Sequence, residues 1–587
     1  MSDDALQMNL FPVPLPRDVD VGDKIETERM PDSSELQPKT AKALGAFYTD
    51  SQVADFLVWW AVRSPDDTVL DPSFGGGVFL RSAAERLARL GGDPAVQVYG
   101  VEIEGAIHRS IADKVNDEFG VRHRNLLNAD FFACDGRQVP LVDTVVGNPP
   151  FIRYQRFTGD TRRRALAKAA LQGVKLSELS SSWVPFLVHA AGFLKPGGRL
   201  AMVAPFELTH AGYAQPLLEF LSRSFRQVAL LTFRKKLFPD LSEDTLLVLA
   251  EDRGAGGGRF LLRDLAHPGA LFDFVANDRR PLPGLRAVDT SALTSGEQRL
   301  VEYFISPKAR ALYRSIRASP MARGLGQLAD VGIGYVTGAN EFFHLNTESA
   351  RRWRIPEAYL RPAVRRARAF TGLHFTRPDW KRTLECGEAG YLLHLGPEKN
   401  LPPEVLRYLE AGERMGIPKA YKCRMRAPWY GVPHVYQPDA FLTYMSGEQP
   451  QFVTNGANAV APNTFHVVRL RPDSEFSSDA LAALWQTSLT RLSVEIEGHA
   501  LGGGMLKLEP SEAQRVALAC PGMRPRRLEE LAAELDRLLR SGDADTARQL
   551  ADRTILREVG LSKLDCQVLA DAATVLKRRR YARNGEK

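Results

Sequence analysis

Three short stretches, each carrying an acidic residue and separated by helix-length segments, fix most of what the first third of this chain can become. The apolar Thr68-Val69-Leu70 runs into Asp71, the apolar Val98-Tyr99-Gly100-Val101 into Glu102, and Asn128-Ala129-Asp130-Phe131-Phe132 closes a third unit. The apolar runs read as buried strands; Phe79, Leu80, Ala83 and Leu87 recur at helical spacing, and a second helix is expected from Glu104 to about Phe119. Alternating strands and helices build an open α/β sheet, whose ligands bind outside the carboxyl ends of the strands. Each acid alone is an ordinary strand-end or helix-cap residue. Together, at successive strand ends, they define a site.

Asp71-Pro72-Ser73-Phe74-Gly75-Gly76-Gly77 is a glycine-rich turn that lets a ligand approach the backbone. The Gly-x-Gly-x-x-Gly spacing of dinucleotide-binding folds is absent, and an acid at the strand tip repels a pyrophosphate. The same acid suits a cofactor carrying an amino group and a sulfonium, which favours S-adenosylmethionine over NAD. Glu102 can accept two hydrogen bonds from ribose hydroxyls, and Asp130 one from an adenine amine, with Phe131 on or beside the ring. Upstream, Phe47-Tyr48-Thr49-Asp50 precedes an apolar helix that Thr49 or Asp50 can cap.

A further apolar run, Thr144-Val145-Val146-Gly147, ends in Asn148-Pro149-Pro150-Phe151. An exocyclic purine amine or an amide nitrogen is a poor nucleophile because its lone pair is delocalised. The Asn148 side-chain oxygen and the Pro149 carbonyl can both accept from one NH2 group, favouring a pyramidal nitrogen with its lone pair aimed at an electrophile. Pro149 and Pro150 stiffen the loop and remove competing N–H donors. Phe151 offers a flat apolar face to a planar substrate.

This ordered set resembles the DNA adenine-N6 methyltransferases of the gamma arrangement, in which cofactor motifs precede the catalytic motif and a target-recognition domain follows. The resemblance implies a Rossmann-like, seven-stranded mixed-sheet class I methyltransferase domain. It also implies S-adenosylmethionine as cofactor, held by Phe47, Tyr48 and Thr49, by Asp71, Pro72, Ser73, Gly75 and Gly77, by Glu102 with Ile103, and by Asp130 with Phe131. Asn148, Pro149, Pro150 and Phe151 are then catalytic, and the base is extruded against an aromatic wall, for which Tyr213 is the candidate and Phe206 the reserve. Asp50 stands where many relatives carry proline. The implied partners are double-stranded DNA and a cognate restriction endonuclease or other defence-system subunits, and the implied setting is the prokaryotic cytoplasm, at the nucleoid.

Length places further domains beyond this one. The division expected is an extended arm over 1–44, the methyltransferase domain over 45–260, a connecting segment over 261–323, an α+β target-recognition domain over 324–522 and a basic helical segment over 523–587. The last carries Leu528, Leu531, Leu535, Leu538 and Leu539 on one stripe and ends in Lys577-Arg578-Arg579-Arg580, a charge run expected to be solvated. In the recognition region Arg424, Arg426 and Trp429 combine cations with an aromatic, as phosphate and base contacts require; a packed strand with a snorkelling Arg face is the alternative. Arg153, Arg156, Arg162, Arg163, Arg164 and Lys168 either track phosphates or form a solvated helix face.

A net charge of +7 suits a polyanionic partner. Five cysteines without a Cys-x-x-Cys spacing argue for a reducing compartment and against structural zinc, and no metal is expected. No apolar run is long enough to span a membrane, and no secretory leader is recognisable. Two other readings stay open: methylation of an RNA base or a protein glutamine amide, and a catalytically idle DNA-binding subunit of a defence complex. The large second half counts against the first, the intact Asn148 and glycine loop against the second. A fused nuclease is not expected, since no Asp/Glu-x-Lys site stands out.

Overall fold

The computed structural model describes residues 49–238, 244–396, 400–501 and 504–582. The arm over 1–44, together with Phe47 and Tyr48, lies outside the described residues. Helix α1 (Ser51–Ala61) starts where the Asp50 carboxylate accepts the Gln52 amide at 2.8 Å, and it buries Val53, Phe56, Leu57 and Trp60. That is an N-cap closing one of the helix's unpaired donors.

The first half is built on one sheet. Strands β1 (Val69–Asp71), β2 (Val98–Glu102), β3 (Leu126–Asn128), β4 (Val142–Gly147) and β5 (Leu194–Pro205) pair in parallel in the order β3-β2-β1-β4-β5. Beyond β5 lie β7 (Thr245–Arg253), antiparallel to it, and β6 (Phe225–Phe233). The seven strands expected from sequence are therefore two short of the nine described. Arg259–Leu265 (β8) pairs in parallel with β6, and Arg286–Ala287 (β9) closes the edge. Residues assigned from sequence to a connecting segment thus extend the sheet.

Helices α2 (Val78–Leu90) and α3 (Gly105–Phe119) return the chain between β1, β2 and β3. Gly77, the N-cap of α2, has φ +77, and a Cβ there would sit 2.5 Å from Ile111 of α3. Both the backbone conformation and the space demand glycine. Because β1 to β4 run in one direction, Asp71, Glu102, Asn128 and Gly147 all end at the same edge.

In the second half, Ala329–Ile333, Phe465–Leu470, Ala440–Thr443, Phe452–Asn455 and His374–Phe375 form a five-stranded sheet in that order. Alternation along Ala440–Thr443 sends Ala440 and Leu442 to one core and Phe441 to another. The first core continues without a break into Leu528, Leu531, Leu535, Ile555, Leu569 and Leu576. The C-terminal helices thus share the core of the recognition half. The terminal charge run is likewise not wholly solvated: Arg579 pairs with Asp264 of β8, and Arg580 with Glu495 at 2.7 Å, both arginines being buried. Like charges survive burial here because each meets a carboxylate from a distant segment. Among the described residues no helix is long and apolar enough to cross a membrane.

Candidate active site

Asp71 is almost wholly enclosed at the tip of β1. Its Oδ1 accepts the Ser73 amide at 3.1 Å, while Oδ2 has no hydrogen-bond partner among the described residues. Burial pushes the carboxyl up to about 8, the nearby Glu102 charge adds to the rise, and the Ser73 N–H opposes it. Gly147 makes room for it, since a Cβ at that position would stand 3.0 Å from Asp71 Oδ1. Glu102 links the glycine loop to the next turn: Oε2 accepts the Gly75 amide at 2.9 Å and Oε1 the Glu104 amide at 2.8 Å. Ile103 beside it is exposed, an apolar side chain left bare at the sheet edge.

Asp130 accepts the Phe132 amide at 3.0 Å through Oδ1 and the Arg164 guanidinium at 2.9 Å through Oδ2. Arg164 therefore reaches the candidate adenine acceptor. Phe131 is buried, with ring centroids 4.6 Å from His189, 4.9 Å from Phe186 and 5.4 Å from Phe193. These rings enclose most of its surface.

The Asn148 side chain is held at its nitrogen. Nδ2 donates to Thr49 Oγ1 at 3.2 Å, and the Ser73 hydroxyl donates to the Asn148 main-chain oxygen, also at 3.2 Å. The side-chain oxygen is buried and has no partner among the described residues. The Thr49 hydroxyl thus holds one end of the amide and leaves the other without a partner among the described residues. The loop's far side is clamped by Ser182, which sequence reading missed. Its Oγ donates to the Pro150 carbonyl at 2.5 Å and accepts the Ile152 amide at 2.9 Å, and its own amide donates to the Ile152 carbonyl. The run Ser180-Ser181-Ser182 before an apolar helix was the available signal. Phe151 is buried.

Of the two candidate wall aromatics, Phe206 is buried and stacks on Phe304, centroids 6.0 Å apart at 20°. Tyr213, half-buried, packs at the edge of the catalytic core.

The basic candidates are differently placed. Arg426 donates to the Thr337 carbonyl at 2.9 Å and to the Val336 carbonyl, so its guanidinium pins a loop of its own fold. Lys422 and Arg424 sit on a short helix, Tyr421–Arg424, where a strand was the alternative; Arg424 is exposed and lies 5.2 Å over the Tyr421 ring. Trp429 packs on Phe342 at 5.6 Å and donates to Glu413 at 3.3 Å. Arg162 pairs with Glu178, Arg163 with Asp160, and Lys168 donates to the Cys134 carbonyl. Among the described residues no group of three or more His, Cys, Asp or Glu is placed to hold a metal.

The sheet is mixed, with β1 to β5 parallel, β7 antiparallel between β5 and β6, and acids at successive strand tips. Residues 34–216 match the family model described as N-6 DNA Methylase, and residues 297–556 match that of the C-terminal domain of type II methyltransferase M.Eco57I. The two matches fall on the two halves of the chain, an N-6 DNA methylase region followed by a type II methyltransferase C-terminal region. It is 22% identical over 498 residues to type II methyltransferase M.AccI of Acinetobacter calcoaceticus, covering 82% of this chain and 86% of that one. To type II methyltransferase M.PaeR7I of Pseudomonas aeruginosa it is 24% identical over 569 residues, covering 89% and 92%. Among solved structures, the DrdV–DNA complex gives a TM-score of 0.49 at 12% identity, covering 86% of this chain. The type IIG restriction endonuclease BpuSI gives 0.40 at 15%, covering 92%. The chain spans 58% and 66% of the length of those two proteins.

Proposed function

We infer that this chain transfers a methyl group from S-adenosylmethionine to adenine N6 in double-stranded DNA, as the modifying arm of a restriction–modification system. The observation that carries the reading is the Asn148 side-chain oxygen, buried and unpartnered beside a stiff Pro-Pro loop. A buried acceptor left open costs stability and is retained where a ligand completes it.

The cofactor fits these residues. The unpartnered Asp71 oxygen suits its cationic end, the Gly75–Gly77 turn allows close approach, and Glu102 keeps lone pairs for ribose hydroxyls. Asp130 takes the adenine amine once Arg164 yields part of its contact. Phe47 and Tyr48 complete the methionine end by analogy with the family. When bound, the cofactor supplies a methyl carbon on a sulfonium.

Asn148 Oδ1 and the Pro149 carbonyl accept the two N6 hydrogens of the extruded base, pulling the nitrogen's lone pair out of conjugation and toward the methyl carbon. Thr49 anchors the other end of the amide. As the nitrogen gains positive charge both hydrogen bonds strengthen, which is where the rate gain lies. Ser182 and Ser73 hold the loop so that no reorganisation is needed at that moment. Phe151 and Tyr213 bracket the base, and Arg424 with Trp429 marks the part of the recognition half offered to DNA. The protein works at the nucleoid beside a cognate nuclease.

Incubation of the purified chain with duplex DNA and cofactor, followed by nucleoside mass spectrometry, tests this. N6-methyladenine is expected; methylcytosine alone, or methylated RNA or protein with untouched DNA, would overturn it.

A further inference from the structure

We propose that Glu207 is a positioning residue for methyl transfer, acting by tethering the Tyr213 ring that the extruded base stacks against. The proposal rests on the placement of Tyr213 as that wall.

Both residues lie in the loop after β5. Glu207 belongs to the short turn Phe206–Thr209, and Tyr213 to the next turn, Gly212–Ala214, just before the helix Gln215–Ser224. The loop closes on itself: the Tyr213 hydroxyl donates to Glu207 Oε2, and the His210 and Ala211 amides donate to the Glu207 carbonyl. Trp183 Nε1 donates to the Tyr213 oxygen at 3.2 Å, its ring standing edge-on with centroids 6.0 Å apart at 64°. Trp183 directly follows Ser182, which clamps Pro150 and Ile152. Two adjacent residues therefore hold both the catalytic loop and the Tyr213 ring.

A stacking platform needs only a phenyl ring. A tyrosine whose hydroxyl donates to a carboxylate and accepts from an indole needs another reason. An untethered ring rotates about χ1 and χ2, and its ordering on base binding must be offset by the stacking energy. A tether to a carboxylate removes that cost before the base arrives, and charge-assisted hydrogen bonds are the stronger kind. Glu207 is distant enough in the loop to act through Tyr213, since its bonded oxygen is already taken by the phenol.

The test uses the full-length protein, cofactor and two duplexes carrying its modification motif, once mapped: one with the target adenine, for methylation, and one with 2-aminopurine in its place, for fluorescence only. Single-turnover methylation, 2-aminopurine fluorescence, cofactor affinity and thermal melting are recorded. Tyr213→Ala tests the underlying placement and should lower both rate and fluorescence by about a hundredfold and severalfold respectively. Tyr213→Phe and Glu207→Leu should each slow methylation about tenfold with weaker fluorescence, the loss of one charge-assisted bond. Their double variant should be no slower than either alone. Glu207→Gln, which still accepts from the phenol, should restore most of the rate, with melting and cofactor affinity unchanged throughout. If Tyr213→Ala is impaired but Tyr213→Phe matches the parent, or the double variant loses the product of both effects, the tether is refuted while the wall stands. A fully active Tyr213→Ala would refute the wall and the tether together.

Discussion

The sheet edge at Asp71 and Asn148 and the Lys422–Tyr430 segment were both marked by residue types suited to a ligand, yet they are built oppositely. At the sheet edge two buried acceptors have no partner among the described residues, and the side chains around them are held by their other atoms. In the Lys422–Tyr430 segment the half-buried cation is already satisfied, Arg426 by two backbone carbonyls, and Trp429 is packed among phenylalanines. A polar group held rigid but left open is poised for something absent; one whose donors are all directed inward is structural. Charge alone does not separate the two.

The largest expected effect bears on the first pole. Asn148→Ala should lower single-turnover methylation by at least about a thousandfold while cofactor affinity stays within twofold, because it deletes an acceptor that matters most in the transition state. Equal loss of cofactor binding would move Asn148 out of the chemistry.

Next comes Asp71→Asn, expected to weaken cofactor binding by about ten- to a hundredfold. Without cofactor the Asp71 carboxyl sits at about 8, against an ordinary 3.8. The folded state therefore holds a proton that the unfolded chain has released, so the cofactor-free protein should lose stability as pH rises from about 4 to 8. A cationic ligand favours the ionised form, so cofactor affinity should rise across pH 7 to 9. Titration calorimetry and melting curves should show both slopes in the parent and neither in Asp71→Asn; a parent with flat profiles would remove Asp71 from the cofactor site. Glu102→Ala should weaken cofactor binding about tenfold, losing a ribose acceptor and its hold on the Gly75 amide; unchanged affinity would exclude it.

At the other pole the two arginines should separate. Arg426→Ala is expected to lower the melting temperature through the freed Val336 and Thr337 carbonyls, so that its DNA binding falls with folding rather than with salt. Arg424→Ala, on an exposed side chain, should leave melting unchanged and reduce the salt slope of DNA affinity by about one. If Arg426→Ala melts like the parent and only its salt slope falls, the contrast between the two regions fails.

Much of the catalytic half was readable because its signals are local. Strand tips, glycine turn and Asn148-Pro149-Pro150-Phe151 each lie within a few residues, and helix α1 carries its own cap at Asp50. What was unreadable depends on partners far along the chain. Strand β8 carries Arg259, Arg263 and Asp264 among its apolar residues, and its strand character comes from pairing with β6. Arg579 looked solvated because Asp264, which neutralises it, lies 315 positions away. Arg426 looked free because its acceptors are backbone carbonyls about 90 residues earlier, and carbonyls leave no mark in composition. Phe131 lies in the turn that follows β3, and the rings that enclose it come from Phe186, His189 and Phe193, more than fifty residues further along the chain.

The most direct test of the central claim, that the open Asn148 oxygen makes this chain an adenine-N6 methyltransferase, is modification-sensitive sequencing of DNA from cells expressing the intact gene or Asn148→Ala at equal protein levels. The account predicts N6-methyladenine confined to one short motif with the intact protein, and unmodified adenine throughout with the variant. The same methylated motif in both cultures, or modification of a different base by the intact protein, would contradict it.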